Sequence, residues 1–157
     1  AVDEDYILMA TNHKITENTW IADTGASNHM TNDINGFISM KKSSRMITVG
    51  DGKQVAVVQT GTWQGKIKNG SNIQTIKLEN IDYIPKLFCN LFSITQAMKN
   101  GWKLIGDKNG VKLTKQKYHL YFDERINSTN GFIFGKTITP YTELALMATN
   151  APTTPKM

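Results

Sequence analysis

One short segment of the sequence carries residues that could perform chemistry. Residues 20–22 form an apolar run that leads directly into Asp23-Thr24-Gly25. A carboxylate held at a tight turn can serve as a general base or acid, and a glycine lets the backbone approach closely. An ordinary surface turn built from Asp and Gly is the structural alternative. The apolar strand before the triplet, and the small residues Ala26 and Ser27 after it, favour catalysis.

The elements that must position this turn are predicted to be mainly β. Short runs rich in Val, Ile, Thr and aromatic residues are interrupted by Gly and Asn, which is typical of strands and turns. Residues 19–22 form one strand. Three hairpins are expected, pairing residues 46–49 with 55–58, 66–68 with 73–78, and 102–105 with 111–114.

A single helix is credible, near residues 93–100. Apolar residues recur with helical spacing between Leu91 and Lys99, and Asn100-Gly101 then supplies a stop signal. Either Ser93 or Asn90 could cap its start. The sequence therefore predicts a mainly β fold with one short helix in its C-terminal half.

The two ends of the sequence differ from its interior. Residues 1–18 and 138–157 are expected to be flexible flanks around a domain at 19–137. A five-residue segment, Leu-Met-Ala-Thr-Asn, occurs at 8–12 and again at 146–150.

Four segments, in order, carry a resemblance to one protein family. Residues 20–31, Trp-Ile-Ala-Asp-Thr-Gly-Ala-Ser-Asn-His-Met-Thr, look like the active-site segment of proteases from copia-type LTR retrotransposons. Residues 49–52 resemble the flap segment of that family, and residues 84–96 its "Val-Pro … Asn-Leu-Leu-Ser-Val-Ser-Gln" segment. Residues 130–134 resemble the "Gly-Leu-Tyr" that follows the protease. Together the four segments span residues 20 to about 135.

The resemblance implies a retropepsin-like acid protease fold that is active as a symmetric homodimer. The sequence holds one Asp-Thr-Gly triplet, whereas aspartic protease chemistry requires two aspartates. A twofold axis would bring Asp23 of each subunit together. Two carboxyl groups at that distance share one proton, so one would activate a water as general base while the other polarises the scissile carbonyl.

The same resemblance assigns further residues. Thr24 and Gly25 would complete the catalytic turn. A larger set would contact a polypeptide substrate: Ala26, Ser27, Val49, Gly50, Asp51, Gly52, Leu91 and Phe92. Asp51 could equally be a plain turn residue. Leu91-Phe92-Ser93 occupies the place where retropepsins carry an apolar-apolar-Gly segment, with Ser replacing Gly.

The repeated segment is interpreted as a pair of self-processing sites. One copy precedes the first predicted strand and the other follows the last, so that cleavage at both would release the domain. Met9–Ala10 and Met147–Ala148 are the favoured scissile bonds. Terminal strands that meet at a dimer interface are the alternative reading.

Composition limits the other possibilities. The net charge of +5 comes largely from scattered lysines, which indicates at most weak, non-specific attraction to nucleic acid. The three histidines do not cluster with Cys89, so neither a metal nor a cofactor is expected. No apolar run or leader suggests a membrane or secretion. The single cysteine fits a reducing compartment, and the resemblance to copia-type proteases implies the cytoplasm and virus-like particles. A non-catalytic interaction domain and an RNA-associated domain of a structural polyprotein remain as alternatives.

Overall fold

Alternating apolar and polar residues fold this chain mainly into β-strands, as predicted. The computed structural model describes residues 15–49, 52–128, 131–141 and 157. In chain order the strands are β1 (Thr19–Asp23), β2 (Met30–Thr31), β3 (Phe37–Thr48), β4 (Gln54–Asn69), β5 (Asn72–Tyr83), β6 (Asn90–Ser93), β7 (Lys103–Asp107), β8 (Gly110–Lys115), β9 (Tyr118–Phe122), β10 (Glu124–Ser128), β11 (Gly131–Thr137) and β12 (Thr139–Pro140). A 3₁₀ turn covers Ile34–Gly36, and the helix α1 covers Ile94–Lys99.

Within the described ranges the strands form two sheets. The larger sheet has nine strands in the order β10-β11-β1-β6-β2-β5-β4-β12, with β3 paired to β4, and β7-β8-β9 form a separate sheet. Most neighbours are antiparallel, but β1 runs parallel to β6 and β2 runs parallel to β5. The parallel pair β1–β6 places Asp23 opposite Ser93. The end of β1, which carries Asp23, is therefore next to the start of α1.

The three predicted hairpins are confirmed. Met46 pairs with Ala56 in the first, and Lys68 pairs with Ile73 in the second. In the third, Leu104 pairs with Leu113. Gly70 in the second turn has a φ of 64°, a left-handed conformation that costs glycine little. The turn residues therefore set the register of the strands that they connect.

The predicted helix is also confirmed, with its boundaries and cap resolved. The hydroxyl of Ser93 accepts a hydrogen bond from the Gln96 N–H at 3.0 Å, which identifies Ser93 rather than Asn90 as the N-cap. Asn100 closes the other end through its N–H to Ala97.

Two apolar clusters fill the space between the elements. The larger contains Trp20 and Trp63, whose rings lie 4.9 Å apart between centroids, together with Phe92 and Trp102. The smaller, built around Ile21, Ala26 and Leu91, lies beneath the Asp23 turn. Burial of these side chains supplies the main driving force for placing β1 at the centre of the fold.

The ordered sheet continues slightly past residue 137. Ile138 is buried, and Thr139 of β12 pairs with Lys66 of β4. The predicted cleavage residues Met9, Ala10, Met147 and Ala148 lie outside the described residues, and their role stays a prediction. Within the described part of the chain, no helix is long and apolar enough to cross a membrane.

Candidate active site

The carboxyl group of Asp23 is buried at the end of a central strand. β1 lies between β11 and β6, and only 7 % of Asp23 is exposed. Its Oδ1 accepts a hydrogen bond from the Gly25 N–H at 2.7 Å, the short-range bond of a tight Asp turn. The sheet and the turn together hold one side of the carboxylate in a single orientation.

The other carboxylate oxygen of Asp23 finds no partner in the described part of the chain. Among the described residues, no hydrogen-bond donor reaches the buried Oδ2. A buried polar oxygen left without a partner costs roughly 1–3 kcal/mol, and a charged one costs more. The fold therefore tolerates an unfavourable arrangement here, which is a common property of functional sites.

Hydrogen bonds from the start of α1 hold the turn that follows Asp23. We call residues 24–29 the Asp23 loop. Its Ala26 carbonyl accepts hydrogen bonds from the Ser93 hydroxyl at 2.6 Å and from the Thr95 hydroxyl at 3.0 Å. Both donors belong to the junction of β6 and α1, so a shift of the loop relative to that junction would break two hydrogen bonds.

A buried histidine fastens the end of the same loop. His29 is fully buried, and its Nδ1 accepts a hydrogen bond from the Ser93 N–H at 2.9 Å. Its own N–H donates to the Gln96 side chain at 3.2 Å, and its ring packs on Phe92 at 4.6 Å between centroids. A backbone N–H can only donate, so the neutral ring carries its proton on Nε2. Burial lowers the pKa of His29 to about 4, and the Met157 carbonyl at Nε2 opposes that effect.

A second polar network connects the loop to the strands of the predicted flap. Asp82 on β5 is buried and accepts hydrogen bonds from Asn28 at 3.2 Å and from the Thr60 hydroxyl at 2.9 Å. The half-exposed guanidinium of Arg45 on β3 forms an ion pair with the same carboxylate. The long hairpin β3–β4 is thus linked electrostatically to the Asp23 loop.

The other predicted site residues fall into two groups. Thr24, Gly25 and Ser27 are exposed beside the buried carboxylate. Leu91 and Phe92 are buried in the two clusters, where they support the loop from beneath.

Two backbone hydrogen bonds cross the base of the flap turn in the described residues. The Gly52 N–H donates to the Val49 carbonyl and the Val49 N–H to the Lys53 carbonyl, both at 2.9 Å. A hollow of about 400 Å³ lies between this segment and residues 86–88. The flap tip, Gly50 and Asp51, lies outside the described residues.

Cys89 lies close to Asp23 but is not suited to nucleophilic chemistry. The residue is a buried free thiol. Burial first, and then the negative charge of Asp23, raise the pKa of Cys89 to about 12. A thiol in that environment stays protonated and inert.

The described residues contain no group of three or more His, Cys, Asp or Glu side chains that could hold a metal ion.

Sequence reasoning missed the residues that hold the loop. The sequence does not indicate the loop contacts of Thr95, Gln96 and Asp82. It marks His29 only as a histidine that does not cluster with Cys89, and Ser93 only as a helix cap and as the residue in place of Gly at the end of the segment 91–93. One signal was available, since residues 93–96 place three polar side chains directly after a fully apolar pair. The contacts that Ser93, Thr95 and Asp82 make with residues 26–29 each join positions more than fifty residues apart in the chain.

Comparison with known proteins places this fold in a family. Residues 20–102 match the family described as Pol polyprotein, beta-barrel domain, and the chain belongs to that family. A putative transposon Ty5-1 protein of Saccharomyces cerevisiae is 34% identical over 89 residues. The match covers 56% of this chain and 56% of the relative, so the chain spans little more than half the length of the curated relative. No solved structure matches the chain. Together the two matches support a Pol-type protein of a retrotransposon.

Proposed function

We propose that this domain is an aspartic endopeptidase that is active as a homodimer and processes its own retrotransposon polyprotein. The observation that carries the proposal is the Asp23 carboxylate, with Oδ1 held by Gly25 and Oδ2 buried without a partner among the described residues. The copia-type active-site motif at residues 20–31 and the match to a Pol polyprotein family support it. The family description names neither an activity nor an oligomeric state.

A second copy of the chain would supply what one copy lacks. The exposed Thr24 and Gly25 adjoin the buried carboxylate, so a twofold-related chain can approach Asp23 at this surface. The two Asp23 carboxyl groups would then share a proton, which gives each unpartnered oxygen a hydrogen bond. A retropepsin-like fold with a symmetric dimer accounts in this way for the cost of burying Oδ2.

The reaction that follows needs only the two carboxyl groups and water. The ionised carboxylate removes a proton from a bound water, which attacks the scissile carbonyl carbon. The protonated carboxyl group hydrogen-bonds the carbonyl oxygen and stabilises the developing negative charge. The proton that the ionised carboxylate removed from water passes to the leaving nitrogen as the peptide bond breaks. The fastened Asp23 loop keeps both groups aligned throughout.

The test is cleavage of a polyprotein fragment that contains the Leu-Met-Ala-Thr-Asn segments. Asp23→Asn should abolish cleavage and leave the fold unchanged, because an amide keeps the shape of the carboxyl group but cannot act as a base. Asp107→Asn is the matched control, since it makes the same change in the exposed β7–β8 turn. Undiminished cleavage by Asp23→Asn would refute the proposal.

Product masses test the processing sites separately. New termini at Met9–Ala10 and Met147–Ala148 are expected. If all new termini lie outside residues 7–12 and 145–150, the processing-site interpretation is wrong even though the domain is a protease.

Dilution tests the dimer. Specific activity should fall as the protein is diluted below its dimer dissociation constant, and sedimentation should show the same transition. A species that sediments as a monomer yet cleaves at the full rate would contradict a shared dyad.

The non-catalytic alternative makes the opposite prediction. An interaction domain would give no cleavage by the unaltered protein at any concentration, and Asp23→Asn would then change only stability. The unpartnered carboxylate favours the protease, since a purely structural role gains nothing from it.

A further inference from the structure

A separate cleft lies where the outer end of the long β4–β5 hairpin faces the small sheet. A cleft of about 850 Å³ lies between residues 68–74 of that hairpin and residues 117–123. The lining residues include none of the Asp23 loop and none of the flap. β4 runs for 16 residues from the flap at Gln54 to Asn69, so the cleft is at the opposite end of the strand from the flap.

The cleft is positively charged. Three lysines line it, Lys68, Lys117 and Lys136, against one carboxylate, Asp123. Lys136 is buried, and its ammonium lies 3.7 Å from the largely exposed Asp123 carboxylate. Because Lys136 and Asp123 offset each other, the positive potential available to an anion comes mainly from the exposed Lys68 and Lys117.

Aromatic rings line the same cleft. Tyr118, His119 and Tyr121 all contribute to the wall, and Tyr121 is 37 % exposed. The rings of His119 and Tyr121 are 6.2 Å apart between centroids and inclined by 34°. Flat aromatic faces beside lysines form the usual platform for stacking the bases of single-stranded nucleic acid.

The cleft is also lined by two side-chain amides whose orientations are set by hydrogen bonds. The Asn69 side-chain N–H₂ donates to the His119 carbonyl at 3.3 Å and to Gln74 Oε1 at 3.2 Å. Those acceptors fix the orientation of both amides, which leaves Asn69 Oδ1 as an acceptor and Gln74 Nε2 as a donor. Within the described residues, both atoms and His119 Nδ1 are buried without a hydrogen-bond partner. A side-chain acceptor and donor of this kind can hydrogen-bond the edge of a nucleobase, and a base that enters the cleft would give these buried atoms the partners that the described residues do not supply.

We propose that this cleft binds single-stranded nucleic acid, with the lysines contacting phosphates, the aromatic rings stacking on a base and the Asn69–Gln74 pair contacting its edge. An acidic peptide would use the lysines but would leave the rings and the oriented amides without a role. The proposal does not depend on protease activity, because no residue of the Asp23 loop takes part.

The experiment measures binding of a fluorescein-labelled 12-nucleotide single-stranded RNA to the full chain by anisotropy. The protein carries Asp23→Asn so that self-cleavage cannot alter the chain. The double variant Lys68→Ala/Lys117→Ala should weaken binding by roughly tenfold or more, since each phosphate contact contributes a salt-dependent share of the affinity. The matched control is Lys41→Ala/Lys42→Ala, which removes the same charge from the exposed face of β3 and should change affinity only about twofold.

A second pair of variants tests the stacking. Tyr121→Ala should weaken binding by roughly tenfold, whereas Tyr121→Phe should keep it, because stacking uses the ring face. Thermal melts of all variants check that they fold. Saturable binding with these differences supports the proposal. Absence of binding, equal losses in both lysine pairs, or displacement of the RNA by polyglutamate as readily as by unlabelled RNA would overturn it.

Discussion

Acidification should destabilise the domain through one buried side chain, His29. Burial lowers the pKa of His29 from 6.5 to about 4, so the unfolded chain takes up a proton at a higher pH than the folded chain. Between pH 6.5 and 4 the unfolded state therefore binds more protons, and the free energy of unfolding falls as the pH falls. The contribution of the neutral His29 to the free energy of unfolding is complete above pH 6.5 and is lost progressively as the pH falls from 6.5 to 4.

The size of the effect follows from the two pKa values. A tenfold difference in proton affinity is worth about 1.4 kcal/mol, so the full loss is roughly 3 kcal/mol, with about 2 kcal/mol already lost at pH 5. Protonation would also convert Nδ1 from an acceptor to a donor that faces the Ser93 N–H. A domain of this size has a free energy of unfolding of about 5–15 kcal/mol, so the loss should be easy to measure.

The assay is urea denaturation from pH 4.5 to 8 at one protein concentration. His29→Asn is the test variant, because its amide oxygen can accept from Ser93 but does not titrate. Its free energy of unfolding should be lower at neutral pH, since it loses the contact with Phe92. Between pH 6.5 and 4 its free energy of unfolding should lack the fall with pH that uptake of one proton by His29 causes. Phe122→Leu is the control, because it weakens the same core and keeps His29. It should lower stability at every pH and preserve the slope. An unchanged slope in His29→Asn would refute the reasoning.

Three further predictions concern residues around Asp23. Ser93→Ala should lower the free energy of unfolding by roughly 2 kcal/mol, because it removes the cap of α1 and a bond to the Ala26 carbonyl; a change below 0.5 kcal/mol in chemical denaturation would contradict that role. Asp82→Asn should lower the free energy of unfolding by roughly 1–2 kcal/mol, because it weakens the pair with Arg45. Cleavage should fall further in Asp82→Asn than in Arg45→Ala, because only Asp82 also accepts a hydrogen bond from Asn28. Equal cleavage by the two variants would argue against that link. Cys89 should resist iodoacetamide at pH 8 until the protein is unfolded, even in Asp23→Asn, since burial is the larger cause of its raised pKa; rapid labelling of the native protein would show that the thiol is accessible.

Local features of the sequence were sufficient for β1, the three hairpins and the helix, but not for β2, β6 and β9 to β12. Turn residues such as Asn69-Gly70 and alternating apolar side chains act over a few neighbours, and they identified three hairpins that the structure contains. The helix followed from the spacing of apolar residues and from a Ser that can cap it. The Asp-Thr-Gly triplet identified Asp23 as the candidate acid–base group because its chemistry is contained in one short segment.

What only the tertiary structure decided is which distant side chains meet. Ser93, His29 and Asp82 hold the Asp23 loop because β1, β6, β2 and β5 are neighbours in one sheet, and their order depends on the packing of the whole core. The lysines of the cleft look like part of a scattered basic surface in the sequence, since residues 68, 117 and 136 are far apart in the chain. Hydrogen bonds and charges act through space within a few ångströms, so neither arrangement leaves a pattern in the order of the residues.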